Sequence, residues 1–160
     1  MAANDEFLNQ IRSIAVVSGF LVSPTLGAFS EIDVERLRAG SVCERCDLSG
    51  FEFPRKASLA GAWLVGANLS GSSLEGADLR GANLSGVDLR GANLRDARLK
   101  DANLTGAKLG GAELRGVKFK RVILNGADLS GATGFDSAKV EFACNAVFPD
   151  GSTSTKGCRF

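Results

Sequence analysis

A large apolar residue recurs at every fifth position between residues 57 and 131. Two places before each of these centres stands Ala, Val or Ser, and the other three places carry nearly all of the charge and glycine. The fifteen centres follow one another without a gap: Leu59, Leu64, Leu69, Leu74, Leu79, Leu84, Leu89, Leu94, Leu99, Leu104, Leu109, Leu114, Phe119, Leu124 and Leu129. This period fits neither an α-helix, whose apolar face recurs at three and four, nor a flat strand, whose period is two.

A period of five suits a chain that turns one corner in each repeat, so that every centre and its small partner point inward. Four corners close a square coil, in which each residue lies above the one twenty positions earlier. Coils of extended chain stack about 4.8 Å apart. The pattern therefore predicts a ladder of Leu side chains along the axis, with Ala at corners where larger side chains do not fit.

The tandem A-(D/N)-L-x-x pattern resembles the pentapeptide repeat family. The resemblance implies an all-β solenoid, a right-handed quadrilateral β-helix, and it covers the fifteen unbroken repeats and two imperfect ones around Leu48 and Phe53. A disordered low-complexity tract would lack such a strictly periodic apolar residue. From Phe53 to Leu59 the step is six, which predicts one extra residue that bulges near Lys56.

Residues 1–30 are predicted to form a secretory signal peptide. An apolar stretch, Ile14 to Leu26, is too short and too interrupted to span a membrane, and Ala28-Phe29-Ser30 supplies a small-x-small cleavage pattern. The acidic pair Asp5 and Glu6 is atypical of a signal peptide. The alternative is an N-terminal hydrophobic helix that docks on the end of the β-helix.

Residues 31–47 are predicted to form a short N-terminal helical cap that ends in a CxxC motif. The helix is expected from Glu31 to Gly40, with Asp33 as the N-cap residue and Gly40 just past its end. Such a segment covers the first coil, whose exposed backbone edge would otherwise recruit another chain.

The β-helix itself is assigned to residues 48–134, and residues 135–160 to a C-terminal capping tail. Within that tail, residues 144–152 (CNAVFPDGS) resemble the C-terminal tail of thylakoid-lumenal and related cyanobacterial pentapeptide repeat proteins. The resemblance implies that the tail closes the last coil.

The four cysteines allow several interpretations: Cys43, Cys46, Cys144 and Cys158. Two local disulfides, Cys43–Cys46 and Cys144–Cys158, fit best if the chain is exported. Free thiols and a CxxC thiol-redox site remain as alternatives. A single zinc site is disfavoured because about four coils, roughly 20 Å, separate the two pairs.

No residue is assigned to catalysis, to a cofactor or to a metal. The chain has no His, so neither a Ser/His nor a Cys/His nucleophile pair is available. The glycines recur every five residues as corner residues and form no phosphate loop. The chain is therefore predicted not to be an enzyme.

Sorting the repeats onto four faces separates two surfaces. The basic face, with two acidic residues and a net charge of +4, contains Arg80, Arg98, Lys100, Lys118, Lys120 and Arg121. The next face has no formal charge, and its outward places form the neutral strip: Trp63, Val65, Asn83, Ser85, Asn103, Thr105, Ile123 and Asn125. The strip is a candidate surface for a partner or for self-association, because interface cores are depleted of charge. Alternatively, residues 51–56 cover Trp63 and the tail covers Ile123.

These features predict a non-catalytic structural or protein-interaction module, exported to a periplasm or a thylakoid lumen, with an unidentified protein partner. No nucleic-acid partner and no stable membrane span are expected. One alternative is a cytoplasmic DNA mimic that binds a topoisomerase, as the family resemblance allows, but such a mimic should be acidic along its length. The other is a thiol-disulfide redox protein that uses Cys43 and Cys46.

Overall fold

The computed structural model describes residues 29–158, so the predicted signal peptide lies almost entirely outside the described residues. The backbone of this part pairs through single-residue bridges rather than longer strands, and all of them are parallel except the one between Val147 and Thr153. From Ser58 to Thr133 every bridge joins residues twenty positions apart, as in Asn83 with Asn103. The chain is therefore a four-sided coil with a ladder of bridges on each face. The four ladders start at Val42, Asp47, Glu52 and Ser58.

Each corner of the coil is a tight turn with a left-handed residue. At one corner, the Val87 N–H donates to the Leu84 carbonyl over 3.2 Å, and Gly86 between them has φ of +65°. A positive φ at the third residue is what a type II turn requires, which favours glycine there. Asp101 adopts the same conformation without being glycine, with φ of +63°.

The predicted inward positions are confirmed, since all fifteen centres are buried. Leu84 and Leu104 have no exposed surface, and the small residue Ala82 is 1% exposed. Stacked Leu side chains thus form one continuous core along the axis, with alanine filling the corners.

The extra residue that the six-residue step predicts near Lys56 is also confirmed. Before residue 58 the bridges join residues twenty-one apart, as in Glu52 with Ser73, so one extra residue is present. It lies just before the corner turn, which runs from Pro54 to Ala57 and so begins one residue later than in the regular repeats; the Ala57 N–H donates to the Pro54 carbonyl over 2.9 Å. Lys56 takes the left-handed corner conformation, with φ of +62°.

One α-helix, α1 (Glu31–Gly40), precedes the first coil. The prediction of Asp33 as N-cap is wrong: the N-cap is Ser30, whose hydroxyl accepts a hydrogen bond from the Asp33 N–H. The Asp33 carboxylate instead accepts from the Asp47 N–H of the first coil, over 2.9 Å. Gly40 is the last helical residue rather than the one beyond it. The side chains of α1 that are buried are those of Val34 and Leu37.

The coil continues beyond the predicted repeat unit at its C-terminal end. After a short 3₁₀ helix (Ser137–Lys139), further rungs follow at Phe142 and Val147, each nineteen residues after its partner. A hairpin then reverses the chain, and its returning strand accepts hydrogen bonds from the N–H groups of Ala143 (3.0 Å) and Asn145 (2.8 Å).

Replacing Leu84 by Ala is expected to lower the free energy of unfolding by about 2–5 kcal/mol, because it leaves a cavity in a fully buried ladder. Arg90→Ser is the matched surface change. It removes an exposed ion pair with Asp88 and should alter stability by less than about 1 kcal/mol. Urea denaturation followed by circular dichroism measures both, and equal losses would contradict the assignment of inward and outward places.

Candidate protein-interaction surface

The neutral strip lies on one continuous ladder of the coil. The bridge residues of this ladder, in order along the axis, are Val42, Trp63, Asn83, Asn103, Ile123 and Phe142. The sequence pattern places the four central rungs correctly and misses both end rungs. The rung at Val42 could have been predicted from the sequence, because the next residue, Cys43, stands five residues before the centre Leu48 and so continues the period. The rung at Phe142 could not have been predicted, because it follows Ile123 by nineteen residues instead of twenty and because Ala143 stands where a large apolar centre would be expected.

Exposed apolar side chains concentrate on this ladder. Five large hydrophobic residues are exposed among the described residues, and Ile32 of α1 is the one outside the ladder. The four on the ladder are Val42 (57% exposed), Trp63 (46%), Ile123 (38%) and Phe142 (44%). The alternative that neighbouring segments cover Trp63 and Ile123 is therefore not supported. Isolated exposed apolar residues are ordinary, but these four lie on neighbouring rungs in two pairs, Val42 with Trp63 and Ile123 with Phe142, one at each end of the strip.

The middle of the strip is made of two amides. Asn83 Oδ1 accepts from the Ser85 N–H and hydroxyl, and Asn103 Oδ1 accepts from the corresponding groups of Thr105. Within residues 29–158 the Nδ2 groups of both asparagines donate to no protein acceptor, so they are available to a partner. The strip thus has apolar ends and a hydrogen-bonding centre.

Trp63 is held in place at the N-terminal end of the strip. Its indole N–H donates to a Glu44 carboxylate oxygen over 2.8 Å, so the polar edge of the ring is satisfied while much of its apolar surface is exposed. A groove of about 520 Å³ lies beside it, lined by Glu44, Arg45, Val65, Gly66, Ser85 and Gly86.

The charge of the basic face is unevenly compensated. Arg80 pairs with Asp78, and Arg121 pairs with Asp101. The hydrogen bond from Arg80 holds the pKa of Asp78 below its usual value. Lys118, by contrast, has no ion pair in the described part of the chain, and the same holds for Lys120. Lys120 nevertheless interacts electrostatically with Asp101, whose pKa is lowered by the hydrogen bond from Arg121 and also by the charge of Lys120. The least compensated positive charge of this face is therefore that of Lys118, towards its C-terminal end.

The four cysteines form two pairs at opposite ends of the coil. Cys43 is bonded to Cys46, and both are about 1% exposed, in the core of the first coil. Cys144 is bonded to Cys158, and both are partly exposed. Residues 29–158 contain no cluster of three or more His, Cys, Asp or Glu side chains suited to a metal ion. They also contain no helix long and apolar enough to span a bilayer.

Comparison with known proteins agrees with this architecture. Residues 57–96 and 97–133 match the family described as pentapeptide repeats, in eight copies. The crystal structure of a pentapeptide repeat protein from Nostoc PCC 7120 is 32% identical, with 75% of this chain and 98% of that chain covered and a TM-score of 0.55. The chain belongs to the pentapeptide repeat family. Members of this family fold as right-handed quadrilateral β-helices and are generally non-catalytic structural modules.

Two other solved structures of pentapeptide repeat proteins are similar to the chain. One, from the Arabidopsis thaliana thylakoid lumen, is 35% identical over 61% of this chain and 72% of that chain, with a TM-score of 0.47. The other, Rfr23 from the cyanobacterium Cyanothece 51142, is 29% identical over 60% and 92%, with a TM-score of 0.45. No curated protein sequence matches this pentapeptide repeat protein significantly.

The Asp78–Arg80 pair predicts an acid-sensitive contribution to stability. Because the folded-state pKa of Asp78 is lowered, its stabilisation is complete above the unfolded value of about 3.9 and is lost as the pH falls through the folded value. Asp78→Asn should therefore narrow the difference in unfolding free energy between about pH 7 and about pH 3. Asn already stands at the equivalent outward place of other repeats, as Asn83 and Asn103. Urea denaturation at both pH values checks this, and an unchanged difference would contradict it.

Protein prepared under oxidising conditions is expected to have no free thiol, with Cys144 linked to Cys158. Peptide mapping without reductant checks the pairing, and a Cys43–Cys144 linkage would contradict it. Replacing both Cys144 and Cys158 by Ser should lower stability by about 3 kcal/mol, the chain-entropy value for a loop of about 15 residues. Under mild reduction of the native protein this exposed pair should open before the buried pair at Cys43 and Cys46.

Proposed function

We propose that this pentapeptide repeat protein is a non-catalytic, protein-binding rod of an exported compartment, a periplasm or a thylakoid lumen, and that it binds its partner through the neutral strip. The observation that carries the proposal is the set of four exposed apolar rungs on one ladder. Interface cores are depleted of charge and enriched in aromatic residues. Trp63 is moreover of the residue type most enriched among residues that dominate binding energy.

The rod provides a rigid base for this surface. Each rung is held by backbone hydrogen bonds to the coils on both sides: Asn103 is bonded to Ala82 (3.0 Å) and Leu84 (2.8 Å) of the preceding coil, and the N–H of Leu104 donates to Ile123 (2.8 Å) of the following one. Outward side chains are therefore presented at a regular spacing of about 4.8 Å. A rigid surface loses little conformational entropy on binding.

The two ends of the rod act as caps in this proposal. Within residues 31–47, helix α1 covers the first coil, to which residues 42–47 already belong, and within residues 135–160 the hairpin closes the last coil. The contact of Asp33 with Asp47 supports the first assignment, and the strand bonded to Ala143 supports the second. Caps of this kind prevent edge-to-edge association of a solenoid.

Export is supported by the two cystine pairs, because disulfides persist in oxidising compartments. The small-x-small pattern before Glu31 supports cleavage of residues 1–30 as a signal peptide, in which case α1 loses its Ser30 N-cap and keeps the contact of Asp33 with the first coil. The thiol-disulfide alternative is weakened, because an attacking thiolate has no access to sulfurs as buried as those of Cys43 and Cys46. The DNA-mimic alternative is weakened by a face with a net charge of +4.

The neighbouring basic face favours an acidic partner. Complementary charge beside an apolar contact surface raises association rates and selects partners, while the desolvated contact supplies most of the affinity. Self-association is the other outcome that this surface allows, since two neutral strips meet without like-charge repulsion.

A paired variant tests the neutral strip. Asn83→Lys with Asn103→Glu charges its centre without touching the core, and is expected to reduce partner capture from an extract of the native compartment at least about tenfold. Asn68→Lys with Asn93→Glu is the matched control. These residues occupy the same outward place on other faces and make the same turn hydrogen bonds, to Ser70 and Arg95.

Retention of wild-type binding by the control, with loss in the strip variant, would support the proposal, provided that both variants melt alike. Equal capture by the two variants would show that the strip is ordinary surface. Sedimentation velocity of the same proteins tests for self-association. If the wild-type protein is a dimer and the strip variant is a monomer, the partner is a second copy of this chain.

A further inference from the structure

The tail does not extend the ladder of the basic face. Thr133 completes the coil that begins at Lys118, and beyond this coil two ladders gain a rung, at Phe142 and Val147. The ladder through Arg98 ends at Lys118, with no bridge beyond it in residues 29–158. In the described part of the chain, the faces of Lys118 and Thr133 therefore have no neighbouring rung at this end.

The tail passes this face without pairing with it. The ring of Phe135 packs edge-on against Phe119, with centroids 5.4 Å apart, and the 3₁₀ helix (Ser137–Lys139) follows. An aromatic ring covers the apolar core but offers no main-chain donor or acceptor. The N–H groups of Phe119 and Arg121 and the carbonyl of Val117 consequently have no hydrogen-bond partner among the described residues.

The same three positions on a complete face are all paired with the next rung. Leu104 N–H donates to Ile123 O over 2.8 Å, and Ile123 N–H donates to Ala102 O over 3.1 Å. The Gly106 N–H donates to the carbonyl of Asn125 over 2.9 Å. The open groups of the basic face therefore form a template for one extended segment, of the kind that the chain's own hairpin supplies to Ala143 and Asn145.

A groove of about 420 Å³ gives access to this template. Its lining residues are Gly116, Val117, Lys118, Phe119, Lys120, Gly134, Asp136, Lys139 and Glu141. Of its charges, Lys139 pairs with Asp136 over 3.2 Å, and Glu141 contributes electrostatically at Arg121. Lys118 and Lys120 are exposed and flank the open edge. An occupant with carboxylates beside these two lysines is complementary in charge.

We propose that this open edge binds an extended, acidic segment of a partner protein, which adds to the basic face as its next rung. Main-chain hydrogen bonds to Val117, Phe119 and Arg121 provide the affinity, as in other cases of strand addition. In this register alternate outward side chains lie beside Lys118 and Lys120, where carboxylates form favourable cross-strand pairs. Inward side chains must be small, because Phe135 already covers the core. The site lies on a different face from the neutral strip, so substitutions at Asn83 and Asn103 leave it intact.

The probe is the capped pentapeptide Ac-AEAEA-NH₂, whose two glutamates fall beside the two lysines. Hydrogen exchange of ¹⁵N-labelled protein reads out the edge directly. At a peptide concentration that fills about nine-tenths of the sites, exchange of the Phe119 and Arg121 amides should slow about tenfold. The amide of Leu104, already bonded on a complete face, is the internal reference and should not change.

Two peptide controls separate strand addition from simple charge attraction. The lysine counterpart Ac-AKAKA-NH₂ should give no protection. A peptide methylated on the amide nitrogen of its first glutamate lacks the donor to Val117 and should bind at least about tenfold more weakly. Equal binding of the methylated peptide would overturn the proposal, because the interaction would then be electrostatic only.

A protein variant tests the charge recognition. Lys118→Glu with Lys120→Glu should abolish protection by the acidic peptide and create protection by the lysine peptide. Arg90→Glu with Lys108→Glu makes the same charge change on another face and should leave binding intact. Failure of the acidic peptide to protect either amide in the wild-type protein would overturn the proposal. If exchange of these two amides slows as the protein concentration is raised without any peptide, the proposal would also be overturned, because a second copy of the chain would then occupy the edge.

Discussion

Hydrogen bonding between successive coils is the constraint on which this structure depends. The coil has no helix or hairpin of its own to satisfy its main chain, so the N–H of Leu84 relies on Asn103 in the next coil, and the N–H of Asn83 relies on Ala62 in the previous one. A peptide group buried without such a partner is costly. The coils must therefore remain in a twenty-residue register, and each end of the stack leaves a row of unmet groups.

The interior and the surface consequently have separate roles. The interior is nearly uniform, with Leu at most of the centres and Ala, Val or Ser at the small inward places, because the close stacking of the coils leaves little room for larger side chains there. The outward places carry no such restriction, and they differ from face to face. Apolar and amide groups are grouped on the ladder of Trp63, and uncompensated charge on that of Lys118. Binding specificity in such a rod thus resides in the outward places, while stability resides in the inward ones.

At each end of the rod, other parts of the chain bond some of the main-chain groups that have no neighbouring coil. At the N-terminal end a carboxylate of α1, that of Asp33, accepts from the first coil, and the Cys43–Cys46 pair fills the core where Leu and Ala stand elsewhere. At the C-terminal end a hairpin tied by the Cys144–Cys158 bond completes two faces. Neither device extends the faces of Lys118 and Thr133, and the exposed lysines of the first are a common means of discouraging unwanted pairing at open edges.

The sequence alone determined the period, the inward places, the extra residue near Lys56 and the grouping of the neutral strip, because each of these follows from local geometry repeated in a fixed register. It did not determine the cap of α1, which depends on where Asp33 meets the first coil. It also did not reveal the end rung at Phe142 or the open groups around Phe119. These depend on the path of the tail, whose nineteen-residue offset breaks the period that made the rest predictable. The tertiary structure alone decides which open edges are covered by the tail and by α1, because these contacts join residues outside the repeat to residues within it, and no fixed spacing relates the two.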